Sequence, residues 1–316
     1  MSPHPSQPPG VAVLGAAGYI GRHAVDALLR HGWCVHGLCR VPSAAQGHHR
    51  ERYEARALAF DATDAAFDEA LEGVSCVIHC AGHYDADAGE LDHYVDSVHR
   101  LAVAACARGL DRLLLISSLA VYGTDPGGPV TLATLPQPTT PYALSRWRAE
   151  QTAREALATG RTRLVVVRVP SVVGANMRSD VLRRFFRALR VGWFFHPGRA
   201  DAVFPCVGVH RLAECLALAA DPLAEPPALL QPVDCMAWVE LADRYGRATG
   251  RRLPRVALPT KAIRFACRVL RYDIGLALNA LDSAVHYEDN CPCLVGLASP
   301  LPETTDDIDA IISTVR

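Results

Sequence analysis

The residues with the plainest chemistry are three glycines in Gly15-Ala16-Ala17-Gly18-Tyr19-Ile20-Gly21. They follow the short apolar run Val11-Ala12-Val13-Leu14 and precede a segment of helical periodicity. A turn placed there can cradle a pyrophosphate, because the helix behind it offers unpaired N–H groups and a partial positive charge. Gly15 permits the tight turn, Gly18 lets the backbone approach the phosphates, and Gly21 lets the helix pack closely. The spacing is GxxGxxG, where the commoner dinucleotide pattern is GxGxxG. At the adenosine end, the second strand closes on Leu38-Cys39-Arg40, and no Asp or Glu occurs from 32 to 50. An acid at that tip selects the ribose hydroxyls of NAD, whereas an arginine suits the 2′-phosphate of NADP. Arg40, with Arg22 past the third glycine, therefore favours NADP(H), NAD(H) being the other cofactor open to such a site.

Positioning such a turn takes a sheet. Short apolar runs near 11–14, 33–39, 57–60, 75–79, 112–116 and 163–168 read as strands, and helical patterns near 20–30, 66–72, 92–109 and 142–158 separate them. Strands joined by helix-length segments imply right-handed crossovers and an α/β fold with a doubly wound parallel sheet of the Rossmann kind. Beyond residue 170 the pattern loosens into helices near 179–190, 209–220, 236–249 and 260–281, punctuated by prolines. The organisation expected is a disordered leader over 1–9, an NAD(P)-binding domain over 10–170, and a smaller, mostly helical substrate-binding region over 171–316. The last is interleaved with the final strands of the sheet.

The totals exclude several classes of function. The chain has 316 residues, half of them apolar, and 32 basic against 33 acidic side chains leave a net charge of −1. That balance supplies no field for nucleic acid or an anionic membrane. No apolar run approaches the ~20 residues of a spanning helix, and the N-terminus lacks the pattern of a secretory signal. Eleven scattered cysteines suit a reducing cytoplasm. Neither Cys291-Pro292-Cys293 nor the group His79, His83 and Tyr84 has the partner spacing of a metal site, so no metal is expected.

Six segments in order resemble the extended short-chain dehydrogenases/reductases: GAAGYIG at 15–21, FDATD at 60–64, VIHCAG at 77–82, SSLAVYG at 117–123, PYALSR at 141–146 and RVPSVVG at 168–174. That superfamily holds nucleotide-sugar epimerases, 3β-hydroxysteroid dehydrogenases and ketoreductases. The resemblance runs from Val11 to about Gly174. It implies cofactor contacts from Gly15, Ala17, Gly18, Tyr19, Ile20 and Gly21, from Asp61 and Ala62 at the adenine, and from Cys80, Ala81 and Gly82 along the middle. Val169 and Pro170 would complete them, and a homodimer is the family's expectation. Ser118 would hydrogen-bond the substrate oxygen and Tyr142 would be the general acid/base. Hydride transfer to a carbonyl leaves charge on oxygen and needs a proton donor within reach. A phenol of ordinary pKa about 10 serves better with a fixed cation beside it.

Here the chain departs from the pattern it resembles. The family's YxxxK is Tyr142-Ala143-Leu144-Ser145-Arg146. Residues i and i+4 share a helix face, so the cation keeps its place and can still hold the nicotinamide ribose. Arginine is bulkier and does not release its proton, so a lysine-style relay is lost. Either a working variant with altered geometry or a weakened or inactive protein follows, and retention of Ser118 and Tyr142 favours activity.

The second half bears on substrate. Sugar-nucleotide epimerases carry R-x-F-V-H-V-x-D, whose arginine holds a diphosphate. The stretch Phe204 to Arg211 puts phenylalanine in place of that arginine and Arg211 in place of the aspartate. Arg183, Arg187 and Arg190 share a face that meets a phosphate or water. Residues 191–197 form a bulky apolar patch that reads more readily as core than as pocket. The expectation is an NADP(H)-dependent oxidoreductase acting on the carbonyl/alcohol of a small biosynthetic intermediate. A nucleotide-sugar epimerase/dehydratase and a non-catalytic NADP-binding sensor are the alternatives.

Overall fold

The computed structural model describes residues 10–42, 50–59, 61–82, 88–177, 181–190, 192, 194–197, 202–258, 285–291 and 301–315. The leader at 1–9, the helix expected at 260–281 and residues 60, 83, 84, 178, 191, 193, 292 and 293 lie outside them.

Seven parallel strands make one sheet: β1 (Gly10–Leu14), β2 (Cys34–Cys39), β3 (Tyr53–Ala57), β4 (Val74–His79), β5 (Arg112–Ser118), β6 (Arg163–Val169) and the two-residue β10 (Leu229–Leu230). Their order is β10-β6-β5-β4-β1-β2-β3. The chain winds outward in one direction from β1 and in the other from β4, so the switch point lies between those two strands. Strand periodicity divides the core in two. Val11 and Val13 point into a cluster with α1 (Tyr19–Arg30) and α6 (Val209–Ala220), while Ala12 and Leu14 point into one with α2 (Asp64–Ala70), α3 (Ala88–Arg108) and α4 (Pro141–Leu157). Both faces of the sheet are thus covered, which is why its strands read as continuous apolar runs.

Strand β3 corrects the sequence reading. It spans Tyr53–Ala57, ahead of the apolar stretch at 57–60. It is an edge strand with charged, part-exposed positions, so apolarity marked its end, where Leu58 is buried.

The second half is mixed. Beside α5 (Val181–Leu189), α6 and α7 (Trp238–Thr249) lie β7 (Ser171–Val173), β9 (Val203–Gly208) and β11 (Asp234–Ala237) in a three-stranded sheet. Strands β8 (Phe194–Pro197) and β12 (Arg255–Leu258) form a parallel pair. A C-terminal helix, α8 (Thr304–Thr314), was not expected; its Ile308, Ile311 and Ile312 are buried with Phe186, Phe204 and Trp238.

Candidate active site

The glycine turn sits outside the carboxyl end of β1. Gly15 has φ +86°, and a Cβ there would stand 2.9 Å from the backbone of Ala81 at the end of β4. The two strand ends therefore touch across the switch point. A Cβ on Gly21 would overlap the Gly15 carbonyl oxygen, so the close packing this glycine permits is against the turn itself. Gly18 caps α1 with extended backbone and no side-chain hydrogen bond, and no acidic residue occupies the first turn. The N-terminal N–H groups of α1 consequently have no side-chain cap, which fits a phosphate group.

At the adenosine end, Arg40 is exposed directly after β2, and Asp61 is exposed ahead of the half-buried Ala62. Tyr19 opens α1 with the Arg22 guanidinium 5.1 Å from its ring centre. It also packs on the core of the second half, and burial raises its phenol above the usual range. Nearby, His23 lies edge-on to His210 at 5.0 Å, and His210 Nδ1 lies 2.7 Å from Asp307 Oδ1 of α8. That group joins the start of α1 to the end of the chain, and nothing in the sequence pattern pointed to it.

Helix α4 begins with Pro141 at its first turn and Thr140 as cap, whose side chain accepts from the Ala143 N–H at 3.1 Å. This start places Tyr142 in the first turn and aligns Tyr142, Arg146 and Glu150 along one face. The Arg146 guanidinium lies 4.8 Å from the Tyr142 ring centre and 3.8 Å from that of Tyr94 on α3. Arg146 is only 5% exposed. Burial disfavours its charge, but the Tyr94 and Tyr142 phenols outweigh that and hold its pKa above the ordinary value. Gly82, at φ +127°, faces it: a Cβ there would overlap one terminal nitrogen and stand 2.8 Å from the other. Ser118 ends β5, its hydroxyl accepting from the Ala120 N–H at 3.2 Å. Cys80 and Ala81 are half-buried at the end of β4, while Val169 is buried and Pro170 half-buried after β6.

Below Arg146 runs a polar chain that sequence reasoning missed. Glu150 is fully buried, accepts from Ser117 Oγ at 2.6 Å, and is bound by Arg168 through Nε at 3.1 Å and Nη2 at 2.7 Å. Arg168 Nη1 donates to the Tyr122 hydroxyl at 2.8 Å, which donates to Gln231 Oε1 at 2.9 Å. The available signal was Glu150 four residues past Arg146, paired with an arginine that follows the apolar run 164–167 of strand β6.

The substrate-side residues divide in use. Phe204 is buried 5.0 Å from Trp238, and Arg211 is engaged by Asp234 at 2.7 Å and by Asp289. Neither is presented as an anion ligand. On α5, Leu182, Phe186 and Leu189 face the core; Arg187 and Arg190 are exposed, with Arg183 half-buried. From the apolar patch, Phe194 is core. Cys291 is a buried free thiol. Among the described residues no His, Cys, Asp and Glu cluster is arranged to hold a metal, and no helix is long and apolar enough to cross a membrane.

Comparison with known proteins places these features in a group. Residues 11–207 match the model of the NAD dependent epimerase/dehydratase family. A UDP-glucose 4-epimerase of Azospirillum brasilense is 30% identical over 188 residues, covering 56% of this chain and 53% of that protein. The ketoreductase adrE of Penicillium roqueforti is 36% identical over 135 residues, covering 38% and 40%. The chain thus spans about half or less of these curated relatives. A UDP-glucuronic acid 4-epimerase from Bacillus cereus, solved with UDP-glucuronic acid and NAD, superposes with a TM-score of 0.71 at 16% identity, covering 97% of this chain and 98% of that one.

Proposed function

The chain belongs to the NAD dependent epimerase/dehydratase family, and from that premise we propose that it is an NADP(H)-dependent oxidoreductase acting on the carbonyl/alcohol of a small biosynthetic intermediate. The observation that carries this reading is the contact of Tyr142 with Arg146, whose guanidinium lies against Gly82 at the end of β4. The glycine turn touches Ala81, the residue before it. A proton-donating phenol, a fixed cation and a phosphate-binding turn are thereby joined through one strand end. The likeness to the ketoreductase adrE supports a carbonyl/alcohol reaction.

In this reading the uncapped N–H groups of α1 and the backbone of Gly15–Gly21 hold the pyrophosphate. Arg40 pairs with the 2′-phosphate, beside Asp61 and Ala62 at the adenine. The bound nicotinamide supplies or receives hydride. Ser118 orients the substrate oxygen through its hydroxyl. Tyr142 gives or takes the proton at that oxygen, and Arg146 holds positive charge beside it and against the ribose. Arg146 stays protonated throughout, so the proton lost from Tyr142 is replaced from solvent or the ribose hydroxyls.

The UDP-glucose 4-epimerase of Azospirillum brasilense favours a second reading, as a sugar-nucleotide epimerase. Against it stand the burial of Phe204 and the engagement of Arg211 by two aspartates. The readings separate on turnover. A reductase consumes NADPH with a panel of ketones and loses that activity in Tyr142→Phe. An epimerase retains its dinucleotide and shows no net consumption. A sensor binds NADPH and turns over nothing.

A further inference from the structure

Arg146 occupies the place of a lysine, and its surroundings have the shape of a guanidinium. We propose that Tyr94 and Gly82 are positioning residues that form a seat for Arg146, fixing it beside Tyr142 so that arginine is the working cation of this site. The seat rests on the oxidoreductase reading for its purpose, though not for its geometry.

Tyr94 supplies the floor. It is 2% exposed, and the guanidinium carbon lies 3.8 Å from its ring centre, a separation at which a planar cation stacks on an aromatic face. Tyr94 is itself held: its hydroxyl donates to the Ile116 carbonyl at 3.3 Å, two residues before Ser118, and its ring meets His79 edge-on at 5.4 Å. His79 closes β4 and is fully buried. Burial and the Arg146 charge push its imidazole down to about 3, so it stays neutral and adds no competing cation.

Gly82 supplies the wall. Its φ of +127° already disfavours other residues, and a Cβ would come closer than 3.0 Å to both terminal nitrogens. Among the described residues, it is the guanidinium that fills the space beside this glycine. A lysine ammonium at 146 has no plane to lay on Tyr94 and does not reach the notch with a fork of donors. Restoring the family's residue should therefore weaken the site.

The test is a double-mutant cycle of Gly82→Ala with Arg146→Lys, alongside Tyr94→Phe and Tyr94→Leu, in the full chain. NADPH and NADH affinities are read by fluorescence titration, turnover on a ketone panel, and folding by circular dichroism. Gly82→Ala should weaken the preferred dinucleotide at least tenfold when Arg146 is present and less than threefold in the Arg146→Lys background. The strain of alanine at positive φ is common to both backgrounds and cancels in the coupling. Arg146→Lys alone should fall at least tenfold in turnover. Tyr94→Leu, which removes the ring, should lose at least tenfold in affinity and turnover, and Tyr94→Phe, which keeps the ring but drops the hydroxyl bond to Ile116, should restore at least threefold of that loss. Equal penalties for Gly82→Ala in the two backgrounds, a fully active Arg146→Lys, or equivalence of the two Tyr94 variants would each overturn the seat. If Gly82→Ala does not fold, the Tyr94 pair decides. If the wild type turns over no ketone while the binding coupling appears, the seat stands and the oxidoreductase reading falls.

Discussion

Arg168 and Glu150 meet in the interior through two bonds, at 3.1 Å and 2.7 Å, and no other buried acid among the described residues carries as many charged partners. Glu150 lies on the helix that carries Tyr142 and Arg146, and Arg168 lies on β6 beside the strand that ends at Ser118. The pair thus sets the depth at which α4 lies on the sheet. Glu150→Ala leaves the guanidinium buried without its carboxylate, with the neutral Tyr122 hydroxyl still in reach, and should cost about 3–5 kcal/mol. Chemical denaturation of the variant against wild type measures this; a loss below about 1 kcal/mol, the scale of an exposed pair, would contradict it.

Arg40 stands exposed at the tip of β2 with no acid near it in sequence. Arg40→Ala should weaken NADPH at least tenfold, about 1.4 kcal/mol, and leave NADH within twofold. Titration of both cofactors checks it, and an unchanged ratio removes the preference for NADP.

The turn is intolerant of any Cβ at position 21. Gly21→Ala drives a methyl into the Gly15 oxygen and must deform the loop that would hold the phosphates. Dinucleotide affinity should drop at least a hundredfold while the circular dichroism spectrum keeps its helical content.

Acid should destabilise the protein through its buried imidazoles. Burial, aided by like charges nearby, depresses His23 to about 4 and His79 to about 3, below the ordinary value near 6.5. Between those values the unfolded chain binds protons that the folded chain refuses, so stability falls as pH drops from about 6.5 toward 3–4. Each histidine contributes a slope of up to about 1.4 kcal/mol per pH unit. His210 acts oppositely: its hydrogen bond to Asp307 raises its pKa, so its contribution is present below about 6.5 and is lost as pH rises through the folded value. Unfolding curves across pH 4 to 8 should show His79→Gln flattening the acid limb and His210→Asn flattening the neutral one.

The legible parts of the molecule were local. The glycine turn, its flanking strand and helix, and the Tyr142–Arg146 spacing are set by residues within one or two turns of each other, so periodicity and caps reveal them. Helix α6 is legible because a glycine, Gly208, precedes it and Pro222 follows its last residue by two, although nearly its whole second half is buried. What escaped depends on distant contacts. Tyr94 acquires its meaning, and Gly82 its contact with Arg146 beyond the expected place along the cofactor, only when α3, β4 and α4 converge on one guanidinium. Edge strand β3 failed for a related reason: half its surface meets water, so its alternation is charged and the apolar marker slid to its end. The small sheets of the second half are short strands whose hydrogen-bonding partners lie roughly 30 or more residues away.

Strand β10 contributes only Leu229 and Leu230 to the large sheet, yet it covers the edge of β6 at Val166 and Val167. Helix α6 covers one face of the same sheet, packed against α1. A gene cut near residue 170 would therefore encode a fragment with a bare apolar edge and an uncovered layer, prone to aggregate when expressed alone. Its complement would lack a surface to fold against. The two pieces should become soluble only when produced together, and a lesion in α6 should loosen α1, which it packs against from His23 to Arg30.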